Sequence, residues 1–268
     1  MKFRGIVHFE FLYQARRVRT WVYFAVLFFV AYLLTKNSLN DAREGNVLAN
    51  SPYSVAVITV ICNLLWTLIS TPVAGSAAAR DVQTRMYPLI YTTPISKADY
   101  LGGRFLAAFL LNALVLLAVP LANLIALYLP GAEHDLVGPL RPAAHLSAYG
   151  ALALPTAFAV TAVQFSLAAL NGRAVVSYLG SVFLFVTVSI GAGAVINLLH
   201  MPTVGKLLDP LGYVSVIGLS RTLTPIEKNS VLVALGSSLL ANRALWVCLA
   251  LAILLFTHVR FRFDHRAA

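Results

Sequence analysis

Over 53–78, 105–129 and 174–199 the chain carries no charged side chain. Each run exceeds the roughly 20 apolar residues that an α-helix needs to cross a ~30 Å hydrocarbon core. Inside that core every backbone N–H and C=O must be paired within the protein, and a helix meets this requirement by itself. Charged residues make up 11% of the 268 and apolar ones 59%, with mean hydropathy +0.80. Soluble domains run about a quarter charged. The expectation is an all-α polytopic membrane protein, a single transmembrane domain over 1–268 with six transmembrane helices.

Further runs at 21–34, 146–170 and 244–259 complete the six, with 103–129 as the third span. The first run is short, so Thr20 and Thr35 are expected near the interfaces, followed by a polar loop over 36–51. Pro72 is expected to kink the end of the second span. Pro130-Gly131 is expected to end the third span, and Asn171-Gly172-Arg173 reads as a tight turn between the fourth and fifth. Residues 2–19 mix Lys2, Arg4, Arg16, Arg17 and Arg19 with aromatics, which suits an interfacial elbow helix. Phe3, Val7, Phe9 and Phe11 also alternate as a strand would. The segment 200–242 holds Pro202, Pro210 and Pro225 between apolar pieces at 211–219 and 231–240, each too short to span. They are expected to be re-entrant or interfacial.

The net charge of +10 would suggest a nucleic-acid partner in a soluble protein. Here the basic residues cluster at the ends of apolar runs, so topology explains them and no nucleic acid is expected. With six spans, Lys36, Arg43, Arg141, Lys206, Arg221, Lys228 and Arg243 fall on one side, and every other Lys and Arg, Arg260, Arg262 and Arg266 included, on the other. The positive-inside rule then puts both termini and the 79–104 loop in the cytoplasm of an inner-membrane protein. Arg16-Arg17 reads as flanking charge rather than a twin-arginine signal, and no cleavable signal peptide is expected. Cys62 and Cys248 both lie in apolar runs and build no disulfide framework.

Enzyme chemistry finds little to work with. Gly205-Lys206 is followed by Leu207 and lacks the upstream glycine of a phosphate-binding loop, so ATP chemistry must come from another chain. Gly191-Ala192-Gly193 is read as a close-packing site. Glu133, His134 and Asp135 are adjacent on a loop, where neighbouring side chains do not easily share one ion, and no metal site is expected. No catalytic residue is expected either. Charge at mid-span depth is essentially missing, which argues against ion-coupled transport. The amides Asn63, Asn112, Asn123, Gln164 and Asn197 are read as interhelical hydrogen-bonding groups, with substrate contact as the alternative.

The long polar break at 79–104 carries Arg80, Arg85, Lys97 and Arg104. Ser96 with Asp99 three residues on forms a capping-box arrangement that starts the third helix ahead of the membrane. Arg80-Asp81 is expected to open a short amphipathic helix, with Arg85 and Met86 one turn on and Tyr87-Pro88 ending it. Such a helix across the membrane face would transmit a push from a docked partner; a solvated loop obeying the charge rule is the other reading.

The segment Tyr91-Thr92-Thr93-Pro94-Ile95-Ser96-Lys97-Ala98-Asp99-Tyr100-Leu101-Gly102-Gly103-Arg104 resembles the Thr-Pro-[Val/Ile]-Ser-[Arg/Lys]-x-[Glu/Asp]-x-Leu-x-x-[Lys/Arg] signature of type-2 ABC exporter permeases. Thr93, Pro94, Ser96, Asp99 and Arg104 are the matching positions, and Asp81 falls where that family carries an acid after its second span. The layout is similar too: elbow helix, six spans, re-entrant helices before the last. Arg85, Met86 and Pro88 depart from the family's Gly-Thr-acid pattern. The wording around 87–104 also looks like permeases associated with zinc aminopeptidases, although no peptidase domain lies in this chain.

The resemblance implies a half-transporter that binds no cofactor itself, with ATP and Mg on a separate ATP-binding subunit. A second permease copy, identical or related, would complete the path within the membrane lipid. Arg80, Asp81, Thr84, Arg85, Met86 and Tyr87 would contact the ATPase, and Asn63, Trp66 and Asn197 would line the path. The alternative is a non-transporting membrane anchor or assembly factor for a peptidase or haem-handling complex.

Overall fold

The computed structural model describes residues 2–128 and 134–263, whose regular elements are all helices, with no strand among them. Six helical stretches are long and apolar enough to cross a membrane: Val18–Glu44, Pro52–Gln83, Lys97–Tyr128, Pro142–Asn171, Ala174–Asn197 and Ser237–Arg260. The expected end of the third span at 129–131, Glu133 and Arg266 lie outside the described residues.

Residues 2–15 form helix α1 (Lys2–Ala15) and not a strand. The first span, α2 (Val18–Gly45), continues through the stretch expected to be a loop. That expectation was wrong because 36–44 contain neither Pro nor Gly, and Lys36, Leu39, Ala42, Arg43 and Glu44 are good helix formers. Asn46, left-handed at φ 53°, follows its last residue. The second span breaks at Ser70 into α3 (Pro52–Ile69) and α4 (Thr71–Gln83), with Pro72 in the first turn of α4, where its missing N–H costs nothing.

Between the second and third spans lies a single-turn helix, α5 (Tyr87–Tyr91). The third span breaks at Leu117 between α6 (Lys97–Leu116) and α7 (Ala118–Tyr128), a division that Pro120 permits and the sequence reading had not anticipated. The fourth runs from α8 (Pro142–Ser147) through a π-helical turn (Ala148–Ala153) into α9 (Leu154–Asn171), closed by left-handed Gly172. The fifth comprises α10 (Ser177–Val186), a π-helical turn (Thr187–Ala192) and α11 (Gly193–Asn197).

Helices α12 (Pro202–Leu208), α13 (Tyr213–Gly218) and α14 (Pro225–Ser230) precede the last span, α15 (Ser237–Arg260). The piece expected at 231–240 is not a helix of its own. No breaker follows Gly236, so its last residues open α15, which also takes in Arg243, just ahead of the span expected at 244–259. Nor do Gly191 and Gly193 provide a close approach: a Cβ on Gly193 would meet nothing within 4 Å. The contact is reversed, with Gly205 of α12 pressed against Ala192 and Ile196.

The fourth span is the bundle's centre, with 67% of its apolar window buried against 22% for the first and last, which therefore face outward. Helix α9 packs on α4, α6, α10 and α15. Phe105 of α6 meets Phe158 and Phe165 of α9 edge to face, with centroids 5.4 and 5.7 Å apart. The expected amide bonding is present at three sites. Asn112 donates to Thr161 at 2.9 Å, Thr35 donates to Asn123, and Gln164 bonds Thr67 O, Ser70 and Ser181, joining the second, fourth and fifth spans.

Candidate functional site

The end of the bundle that carries α1 gathers the predicted coupling residues, but not in the expected arrangement. Arg80 and Asp81 do not open the short helix; they form part of the last turn of α4. The short helix instead begins at Tyr87-Pro88, the residues expected to end one. Proline is favoured in a helix's first turn, where no N–H is required of it, and disfavoured further in. Between the two helices α4 closes in a Schellman turn, Met86 N donating to Asp81 O at 2.8 Å and Arg85 N to Val82 O at 3.1 Å. This motif needs a left-handed residue, normally glycine, and Arg85 occupies it at φ 57°.

Asp81 is 4% exposed and cannot be a docking contact. Its carboxylate accepts from Tyr100 Oη at 3.0 Å and from Arg104, whose other guanidinium nitrogen donates to Ala77 O at 2.9 Å. Arg104, the last residue of the expected helix-start motif, is itself buried about two turns into α6. Neighbouring Arg80 turns toward α1 and donates twice to Glu10, at 2.9 and 2.6 Å, while its guanidinium lies 4.3 Å from the Tyr13 ring centre. Gln14 joins Glu10 to Ser76 of α4 through bonds of 2.8 and 3.3 Å.

Sequence reasoning missed Glu10, Gln14 and Tyr100. The available signal was Glu10, a lone acid among the five basic residues of 2–19.

The helix-start motif is present in part as expected. Ser96 Oγ accepts from Asp99 N at 3.0 Å and donates to the Asp99 carboxylate at 2.7 Å. Lys97 turns away to the last span, donating to His258 O at 2.7 Å and Phe261 O at 2.8 Å, a cation on a helix C-terminus. Pro94 O accepts from Lys2, and the exposed Thr93 hydroxyl donates to Ile90 O at 2.5 Å. Of the predicted contact set, Thr84, Arg85 and Met86 are exposed and Tyr87 is partly so; Leu89 joins them at 65% exposure. An outward polar and apolar surface at 84–89 therefore stands on a buried ionic base that joins α1, α4 and α6.

The predicted path residues do not come together as a lined opening. Asn63 and Trp66 are both fully enclosed, and neither the Asn63 amide nor the Trp66 N–H has a hydrogen-bond partner among the described residues. Asn197 is exposed at the end of α11.

At the opposite end, Arg243 of α15 is 4% exposed and donates to Pro210 O at 3.0 Å, Asp209 O at 3.1 Å and Thr156 Oγ1 at 3.0 Å. The Asp209 carboxylate accepts from the N–H groups of Leu211, Gly212 and Val214 at 2.9, 3.0 and 2.7 Å. Burial raises its pKa against the opposing pull of Arg243 and those three bonds. No three His, Cys, Asp or Glu side chains converge among the described residues.

No protein-family model matches the chain, and no curated protein matches it in sequence.

Proposed function

We propose that the chain is the transmembrane subunit of an ATP-driven transporter, an exporter by its resemblance to type-2 ABC permeases, working as a dimer with a separate ATP-binding subunit. The observation that carries this reading is the rigid mounting of the exposed 84–89 surface. Through Asp81–Arg104 and Arg80–Glu10, a displacement of that surface moves α4, α6 and α1 together. The contact set is Thr84, Arg85, Met86, Tyr87 and Leu89, with Arg80 and Asp81 as its internal support. In this reading the membrane is the inner one with both termini cytoplasmic, α1 is the interfacial elbow, and α12 to α14 are re-entrant. Because Asn63 and Trp66 are closed off within one chain, the path forms between two copies.

That same closure also suits the alternative reading, a membrane anchor or assembly factor with no path at all. Co-purification with candidate ATP-binding subunits separates the two. Arg85→Glu/Met86→Asp changes only exposed side chains and leaves the buried base in place. Capture by the native chain and its loss in this variant supports coupling at 84–89. Absence of capture, or capture indifferent to the variant, moves the anchor reading ahead.

A further inference from the structure

Helix α1 crosses α6 at Gly103, where a Cβ would come 2.9 Å from Ile6 Cγ2. One side of the crossing faces the α5 region, with Gly5, Phe9 and Glu10 beside Ile90 and Ile95. The other side opens a groove of ≈ 760 Å³ running down α6. Phe3, Val7 and Phe11 roof it, and Leu106, Leu110 and Leu117 form its floor. The polar groups along it are Arg4 and His8 on the roof and Tyr149 below, whose hydroxyl is occupied by Ala113 O at 2.8 Å. Arg4 and His8 are exposed and have no hydrogen-bond or ion-pair partner among the described residues. No acid lines the groove, and the acids of α1 and of the first turn of α6 are engaged elsewhere, Glu10 with Arg80 and Asp99 with Ser96.

The groove's length identifies its occupant. From Leu106 to Leu117 a helix rises roughly 16 Å, and one leaflet of a ~30 Å hydrocarbon core is about 15 Å deep. A partner's spanning helix would continue past the crossing, but α1 closes the groove there, so the occupant must end at that level in something that satisfies the free Arg4 guanidinium and accepts from the His8 imidazole. We propose that this groove is a binding site for one anionic phospholipid. Its phosphate lies against Arg4 and His8 and one acyl chain lies along Leu106, Leu110 and Leu117. The inference needs only a membrane-spanning bundle and is independent of the transport reading.

The full-length protein, purified in detergent and freed of lipid, is titrated with equimolar phosphatidylglycerol and phosphatidylcholine and examined by native mass spectrometry. The native chain retains phosphatidylglycerol preferentially. Arg4→Gln lowers that preference about fivefold, the worth of one cation at a lipid surface, while Arg4→Lys preserves it. Leu110→Trp fills the floor with every charge left in place and reduces binding of both lipids. Equal retention of the two lipids by the native chain overturns the proposal, as does a preference indifferent to both Arg4→Gln and Leu110→Trp. Efficient disulfide formation between copies of Leu110→Cys in phosphatidylglycerol vesicles also overturns it, since a second copy then fills the groove.

Discussion

Arg80 and Glu10 form a two-bonded ion pair across seventy positions of sequence, with the Glu10 side chain 1% exposed and that of Arg80 14%. The pair fastens α1 to the end of the second span. Glu10→Gln leaves Arg80 with only its longer contact to Asp81, at 3.8 Å, in a largely dehydrated place, at a cost of roughly 2 kcal/mol. Thermal unfolding in detergent should fall accordingly. Glu10→Gln/Arg80→Gln should recover part of the loss, and a double-mutant cycle showing strict additivity would contradict the pairing.

Arg85 holds the left-handed position of the Schellman turn without being glycine. Arg85→Gly should raise stability by about 1 kcal/mol, the size of the penalty that a side chain bears in that region. If 84–89 is the coupling surface, the same variant should capture the ATP-binding subunit less well. A melting temperature at or below that of the native chain would show that the turn is not strained.

Gly75 of α4 lies where a Cβ would come 2.8 Å from the backbone oxygen of Ala174. Backbone cannot yield as a side chain does, so Gly75→Ala should cost about 1–3 kcal/mol and Gly75→Val more. An unchanged melting temperature for Gly75→Val would rule out the close approach of the second and fifth spans.

Arg243 bonds carbonyls on the Asp209-Pro210 turn, so Arg243→Leu strands several buried acceptors. Limited proteolysis should then cut within 200–236 much faster than in the native chain. Arg243→Lys should restore protection only in part, because an ammonium cannot reproduce the guanidinium fork. Full protection in Arg243→Leu would mean that the turn is held by other contacts.

The exposed capping box of α14 should respond to acid. The backbone N–H and hydroxyl of Thr224 donate to the Glu227 carboxylate, each at 2.8 Å, and hold its pKa below the ordinary 4.5. A depressed folded-state pKa means that its stabilisation is complete above 4.5 and is lost as pH falls through the lower folded value. Amide exchange of α14 should accelerate across that window in the native chain and lose this step in Glu227→Gln. An identical pH profile for the variant would remove the capping box as the cause.

The helical class and the number of membrane-length apolar helices were legible in the sequence because both are local. An uncharged run of sufficient length and the 3.6-residue repeat need no knowledge of the rest of the chain. The cap at Ser96 and the turn at 171–173 were legible for the same reason. Helix ends were less so: 36–44 is polar, but polarity does not break a helix, and the structure carries α2 through it. The interior of the candidate site lay beyond local reading. Whether Asp81 meets a partner protein or Arg104 depends on which helix lies beside it, and sequence spacing does not contain that. Only the tertiary structure decided that Arg80, Asp81 and Arg104 turn inward while Arg85 and Met86 remain outside. The reason is that a charge in a dry interior is tolerable only where packing brings its counter-ion within bonding distance.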